Sequence, residues 1–170
     1  MRPPHLIFVV SLLVSLVAPA RAAEPMVEQY LLTGKLAEGE KALANHLQAN
    51  PKDDEARFGL GMLQVVRGLE QLMQTLHKHG LRSERSGVPF LRLPVEQNPN
   101  PQAMSYQSAS QMVRKWDEQL AQAEKTLAQV QSTEIKLPLH FARIRLDFDG
   151  DGQASETEML WRVYQRLSGF

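Results

Sequence analysis

Cysteine is absent from this chain of 170 residues. Its absence excludes a disulfide framework, a thiolate metal site, a cysteine nucleophile and a lipid-modified cysteine. Acidic and basic residues balance at 19 each, so no surplus of positive charge indicates nucleic-acid binding. The hydrophobic content of 43% is ordinary for a globular chain, and the length suffices for one domain or two small ones. Stability must therefore come from packing, helped by a bound ion if the chain holds one.

The apolar run at the N-terminus, residues 6–17, is too short to span a bilayer, which needs roughly 18 to 20 apolar residues. Arg2 precedes the run, and the small-x-small pattern at residues 20–22 is one that a signal peptidase accepts. We therefore expect residues 1–22 to be a signal peptide that is removed, with a retained membrane anchor as the alternative. The mature chain would be periplasmic or secreted, without membrane contact. Loss of Arg2 and Arg21 would leave 17 basic against 19 acidic residues, a formal charge of −2.

Residues 23–80 show helical periodicity interrupted by turn residues, which predicts helices arranged in pairs. Asp53 or Asp54 is placed to cap the longest of these helices, which Gly80 ends. The spacing resembles the tetratricopeptide repeat, in which helix pairs recur about every 34 residues. The matching residues are Tyr30, Gly34 and Pro51 in a first unit and Ala56, Leu60, Gly61 and Gly68 in a second. The resemblance implies a helical scaffold that supplies packing surface, and a plain helical bundle is the alternative.

Residues 81–103 contain four prolines and predict a Pro-rich connection. A long amphipathic helix is predicted over residues 104–132, because apolar residues recur there at alternating steps of four and three. These residues are Ala109, Val113, Trp116, Leu120, Ala123, Leu127 and Val130. The stripe predicts packing within the chain, with a coiled-coil contact to a second copy as the alternative. Glycines at 59, 61 and 68 predict that neighbouring backbone packs closely on the preceding helix.

The segment from Asp147 to Glu158 carries the clearest chemical motif, D-x-D-x-D-G-x5-E, and resembles the EF-hand family. Crowded carboxylates repel one another unless a cation lies among them, which favours a bound ion over an unoccupied acidic turn. The resemblance implies one calcium ion, Ca²⁺, with magnesium a poorer fit. The implied ligands are the side chains of Asp147, Asp149 and Asp151, the backbone carbonyl of Gln153, Ser155 through a water, and both carboxylate oxygens of Glu158. Ser155 and Glu158 also form an S-x-x-E capping box that begins the next helix.

Residues 139–170, predicted as an EF-hand-type loop and C-terminal helix, depart from the family at two points. Position eight of the loop is Ala154, where a β-branched residue or leucine usually pairs with a second loop. The incoming residues 142–148 alternate between apolar and charged, which predicts an extended segment in place of a helix. No second loop is present in the sequence, although EF-hand loops usually pair. A homodimer contact or packing on the helical part could replace the second loop, or the loop could remain unpaired. We therefore expect weak binding, with Kd on the order of 10⁻⁴ to 10⁻³ M.

The expected fold is mainly α: repeat-like helical hairpins, a long helix, and a C-terminal EF-hand-type loop and helix. The expected function is that of an exported calcium-binding scaffold or interaction protein, in which calcium is mainly structural. The alternative is a calcium-responsive module that presents Trp161 and Tyr164 to a partner. We expect no enzyme, since the sequence has no Gly-rich phosphate loop, H-E-x-x-H or G-x-S-x-G, and an enzyme of unrecognised type is the least favoured alternative. His77 and His79 point apart on a helix, which argues against a zinc pair. The expected partners are a calcium ion and either another protein or a second copy, but no nucleic acid.

Overall fold

The computed structural model describes residues 24–81 and 94–168. The predicted signal peptide and residues 82–93 of the predicted Pro-rich connection lie outside these residues. The helices are α1 (Glu28–Thr33), α2 (Leu36–Ala49), α3 (Asp54–Lys78), α4 (Tyr106–Leu127) and α5 (Leu160–Ser168), with single 3-10 turns at Phe141–Arg143 and Glu156–Glu158. The mainly α prediction is confirmed, with no strand in the part of the chain described. None of these helices combines the length and apolar character needed to cross a membrane.

Two boundaries of the first three helices are set by residues suited to helix ends, whereas α1 and α2 begin without a side-chain cap bond. Gly34 ends α1 with a left-handed backbone, at φ 71°. Asp53, not Asp54, caps α3: its carboxylate accepts the N–H of Ala56 at 2.9 Å. Helix α3 then continues for 25 residues without interruption. Residues 54–78 therefore form one helix, which packs against both α2 and α4, and the tetratricopeptide resemblance stays a prediction.

Helix α4 packs along α3 at glycine positions. A Cβ atom added to Gly61 would lie 2.5 Å from the side chain of Leu127, and one added to Gly68 would lie 3.1 Å from the ring of Trp116. The prediction that neighbouring backbone approaches these glycines was wrong in its detail, because side chains fill the space. Large residues on α4 thus fit where α3 has no side chain, which brings the two helices close together.

The apolar stripe of α4 is divided between the core and the surface. Ala123 is buried, whereas Val113 is 60% exposed and Leu120 is 36% exposed. The buried face also includes Thr126, a polar residue whose hydroxyl bonds the carbonyl of Gln122. Packing within the chain therefore accounts for one edge of the predicted stripe and leaves the other edge in solvent.

The segment before the acidic loop enters the hydrophobic core. Ile144, Leu146 and Phe148 are almost completely buried, and the residues between them are less so. This pattern confirms the extended segment predicted from the alternation, although residues 141–143 form a 3-10 turn. The three side chains join a core that otherwise comes from Val27, just before α1, and from helices α1 to α3. Its other members are Val27, Leu31, Leu36, Leu43, Ala56, Leu60, Leu63, Val66 and Met73. The start of the loop is therefore held by packing against the helical part.

Candidate metal centre

The two ends of the loop are joined by backbone hydrogen bonds. An isolated antiparallel bridge pairs Arg145 with Met159. Around it, the N–H of Leu160 donates to the carbonyl of Ile144 at 2.9 Å, and the N–H of Arg145 donates to the carbonyl of Leu31 at 2.9 Å. These bonds close the base of the loop and attach it to the end of α1.

The carboxylates of Asp147, Asp149 and Asp151 lie together, with one oxygen of each within 4.8 Å of the others. The chain turns around them through Gly150 and Gly152, whose φ angles of 80° and 86° favour glycine. Because three negative charges so close repel one another, the arrangement needs compensating positive charge or donors. A cluster of this kind can hold a metal ion, and carboxylate oxygens suit hard cations.

Backbone N–H groups supply part of that compensation. Both oxygens of Asp147 accept bonds from glycine N–H groups, from Gly150 at 2.6 Å and from Gly152 at 3.0 Å. Asp149 accepts the N–H of Asp151 at 3.0 Å, and Asp151 accepts the N–H of Gln153 at 2.7 Å. Each acceptor oxygen retains lone-pair capacity, so these bonds preform the turn without consuming all the oxygen positions that a cation would use.

Glu158 lies at the base of the loop and is only 3% exposed. One of its oxygens accepts the N–H of Phe148 at 2.7 Å, and the other accepts the N–H of Ser155 at 3.0 Å and its hydroxyl at 2.8 Å. The predicted capping box between Ser155 and Glu158 is therefore present, but it begins the 3-10 turn Glu156–Glu158 and not α5, which starts at Leu160. Glu158 is not in the group of mutually close carboxylates, but it lines an open cavity of about 390 Å³ together with Asp149 and Asp151. The ligand roles of Glu158, Ser155 and the Gln153 carbonyl remain predictions.

Helix α3 holds the first half of the loop through three polar side chains at positions i, i+4 and i+7, which share one face of the helix. Glu70 accepts the N–H of Asp147 at 2.9 Å, and Gln74 donates to the carbonyl of Asp147 at 2.8 Å. His77 lies 3.2 Å from the carbonyl of Asp149 through Nδ1 and 3.0 Å from the carbonyl of Glu96 through Nε2. The helix thus binds both the N–H and the carbonyl of the first aspartate.

Glu70 itself is buried beside the acidic loop. The pKa of Glu70 is raised to about 7, chiefly by burial and also by the charges of Asp147 and Glu158, while the N–H of Asp147 and the charge of Arg67 oppose the rise. Burial is the main cause of this shift, and the negative charge of the loop adds to it. Sequence reasoning missed Glu70, Gln74 and His77, because their pairing spans more than 70 residues and leaves no local pattern.

Ala154, at position eight, packs against the turn between α1 and α2. A Cβ atom added to Gly34 would lie 2.1 Å from the Cβ of Ala154. A small residue at 154 and glycine at 34 therefore fit together, and a larger residue at either position would separate the loop from the turn. The place of a second EF-hand loop could be taken by a homodimer contact, by the helical part of the chain, or by nothing. In the described residues, position eight of the loop packs on the helical part.

Comparison of the chain with protein-family models, with curated proteins and with solved structures finds no match. The assignment of a role to this site therefore depends on its residues and their geometry.

Proposed function

We propose that this chain binds one calcium ion in the loop Asp147–Glu158 and that the ion is mainly structural. The observation that carries the proposal is the close approach of the three aspartates at positions one, three and five of an EF-hand-type pattern. Bound calcium would neutralise carboxylates that backbone donors satisfy only in part. It would thereby stabilise the connection between the extended segment 144–148 and α5.

The helical part is proposed to be the scaffold of a non-enzymatic protein. The sequence of α1 and α2 resembles a first tetratricopeptide unit, a class that presents helical surfaces to other proteins. The export proposal is based on residues 1–22 and leads to a periplasmic or secreted protein. Cell fractionation of the full chain tests it, since a cytoplasmic protein of uncleaved mass would contradict both export and processing.

Calorimetric titration with calcium tests the metal site. We expect saturable one-to-one binding that Asp147→Asn and Asp149→Asn each weaken at least tenfold, because each loses a charged ligand. Glu156→Gln is the matched control, since it removes one negative charge from the same loop at a position that is not a ligand in the pattern. Magnesium at equal concentration should bind more weakly. An absence of binding up to several millimolar calcium would refute the proposed site.

A second candidate function is a calcium-responsive module that binds a protein partner. It is favoured by the exposure of Trp161 and Tyr164, at 40% and 66%, on the helix that directly follows the loop. Tryptophan fluorescence in the Trp116→Phe variant reports on Trp161 alone, the only other tryptophan. A calcium-dependent shift in emission supports the responsive module, whereas raised thermal stability with unchanged emission supports the structural role.

A further inference from the structure

The surface of α4 that does not face α3 carries an apolar stripe with a seven-residue spacing. Tyr106, Val113 and Leu120 are 91%, 60% and 36% exposed. Seven residues make nearly two turns of an α-helix with a drift of about 20°, so these three side chains share one face. Exposed apolar residues that occur singly are ordinary, but a stripe along a helix of 22 residues is an unpartnered helix-packing surface.

Charged residues of opposite sign border this stripe. Arg114 and Asp117 line an open surface groove together with Tyr106 and Val113. Within the part of the chain described, neither Arg114 nor Asp117 forms an ion pair; the guanidinium of Arg114 reaches only the hydroxyl of Ser110, at 3.5 Å. The border therefore has one positive and one negative group, three residues apart, available to a partner.

We propose that this face binds the same face of a second copy of the chain, with the two α4 helices antiparallel. A two-fold axis between residues 116 and 117 places Val113 of each copy opposite Leu120 of the other. In such a pair, the charged edges of the two stripes lie on the same side of the helix–helix contact. Arg114 of one copy therefore comes next to Asp117 of the other, and the two-fold symmetry repeats this contact. The proposal does not depend on the metal site.

The orientation follows from the charges. In a parallel pair, Val113 would meet Val113, and the Arg114 and Asp117 borders would lie on opposite sides of the contact, without complementary charges. The antiparallel pair instead forms two Arg114–Asp117 contacts at once, and these contacts neutralise the two Asp117 carboxylates, which lie beside each other at the axis. A single helix contact of about 33 Å buries less than a standard interface, so we expect weak dimers that form in the micromolar to millimolar range.

Sedimentation equilibrium of the full chain at increasing concentration tests the proposal. Arg114→Glu and Asp117→Arg should each weaken dimerisation about tenfold or more, because both contacts become repulsive. An equimolar mixture of the two variants should form heterodimers at the wild-type concentration, since every contact in the mixed pair is attractive again. This rescue distinguishes a specific interface from a folding defect. A wild-type chain that stays monomeric throughout, or single variants that dimerise like wild type, would overturn the proposal.

Disulfide trapping tests the orientation in a chain that has no cysteine of its own. Under mild oxidation, a mixture of Val113→Cys and Leu120→Cys chains should cross-link between the two variants, because the antiparallel pair puts these positions opposite each other. Val113→Cys alone is the control and should not cross-link, since its two copies lie about 10 Å apart along the helix axis. Efficient cross-linking of Val113→Cys with itself would refute the antiparallel arrangement.

Discussion

Replacement of Gln74 by methionine tests how far α3 prepares the loop for an ion. The two side chains are similar in length, and the change removes only the amide that donates to the carbonyl of Asp147 at 2.8 Å. A hydrogen bond of this kind contributes about 1 kcal/mol to folding. If its loss lets the first turn of the loop move, calcium must restore that order on binding. The upper limit of this cost is again about 1 kcal/mol, so we expect calcium Kd to rise up to about fivefold.

Gln71→Met is the matched control. Gln71 lies one turn earlier on α3 and bonds the side chain of Gln119 on α4, so its replacement also removes one amide hydrogen bond, but at a site away from the loop. Both variants should lower Tm by about 2 to 4 °C, and only Gln74→Met should raise calcium Kd. Differential scanning calorimetry and isothermal titration measure the two quantities. A Gln74→Met chain with wild-type Kd and lowered Tm would show that α3 stabilises the fold without positioning the loop.

Three further predictions concern stability. Asp53→Ala removes the N-cap of α3 and should cost about 1 kcal/mol in chemical denaturation, whereas Asp53→Asn, which keeps the cap, should cost less. Although burial opposes ionisation of Glu28, hydrogen bonds from the backbone and ring of His140 and nearby positive charge lower its pKa below the usual 4.5. The contribution of Glu28 to the free energy of unfolding is therefore present above pH 4.5 and is lost as pH falls through the folded-state pKa. Glu28→Gln should make the fall in this free energy at acid pH less steep, and an unchanged fall would contradict the reasoning. Gly34→Ala should destabilise the fold by about 1 to 3 kcal/mol through its left-handed backbone and its contact with Ala154, while Gly152→Ala, which has the left-handed backbone without the contact, should cost less.

Local patterns predicted the elements whose causes are local. A cap at Asp53 or Asp54 was anticipated because a carboxylate that accepts the N–H three residues later favours the start of a helix, and the structure has Asp53 in this role. The extended segment through Ile144, Leu146 and Phe148 was anticipated because one buried face imposes a period of two. The turn around the aspartates was likewise predicted by its glycines and carboxylates, all within six residues.

Contacts between distant parts of the chain were beyond such patterns. Nothing near Gln74 in the sequence indicates that its amide binds a carbonyl 73 residues later. The division of the α4 stripe was also missed, because periodicity identifies an apolar face without saying how much of it a neighbour covers. Val113 and Ala123 contribute to the same sequence pattern, yet only Ala123 is covered. The packing of Ala154 against Gly34 is a third contact that local patterns could not predict, since it depends on the arrangement of two turns 120 residues apart.

Two opposing effects decide the affinity expected of a loop without a second loop. The small Ala154 gives up the pairing that usually stiffens two EF-hands, which weakens binding. The hydrogen bonds from α3 to Asp147 restrain the first ligand before any ion arrives, which reduces the ordering that binding must supply. At a Kd of about 10⁻⁴ M, a free calcium concentration about ten times the Kd stabilises the fold by about 1.4 kcal/mol. Such an ion contributes about as much as one helix cap, and only where calcium approaches millimolar concentration, so a structural role for this loop and the proposed export of the chain support each other.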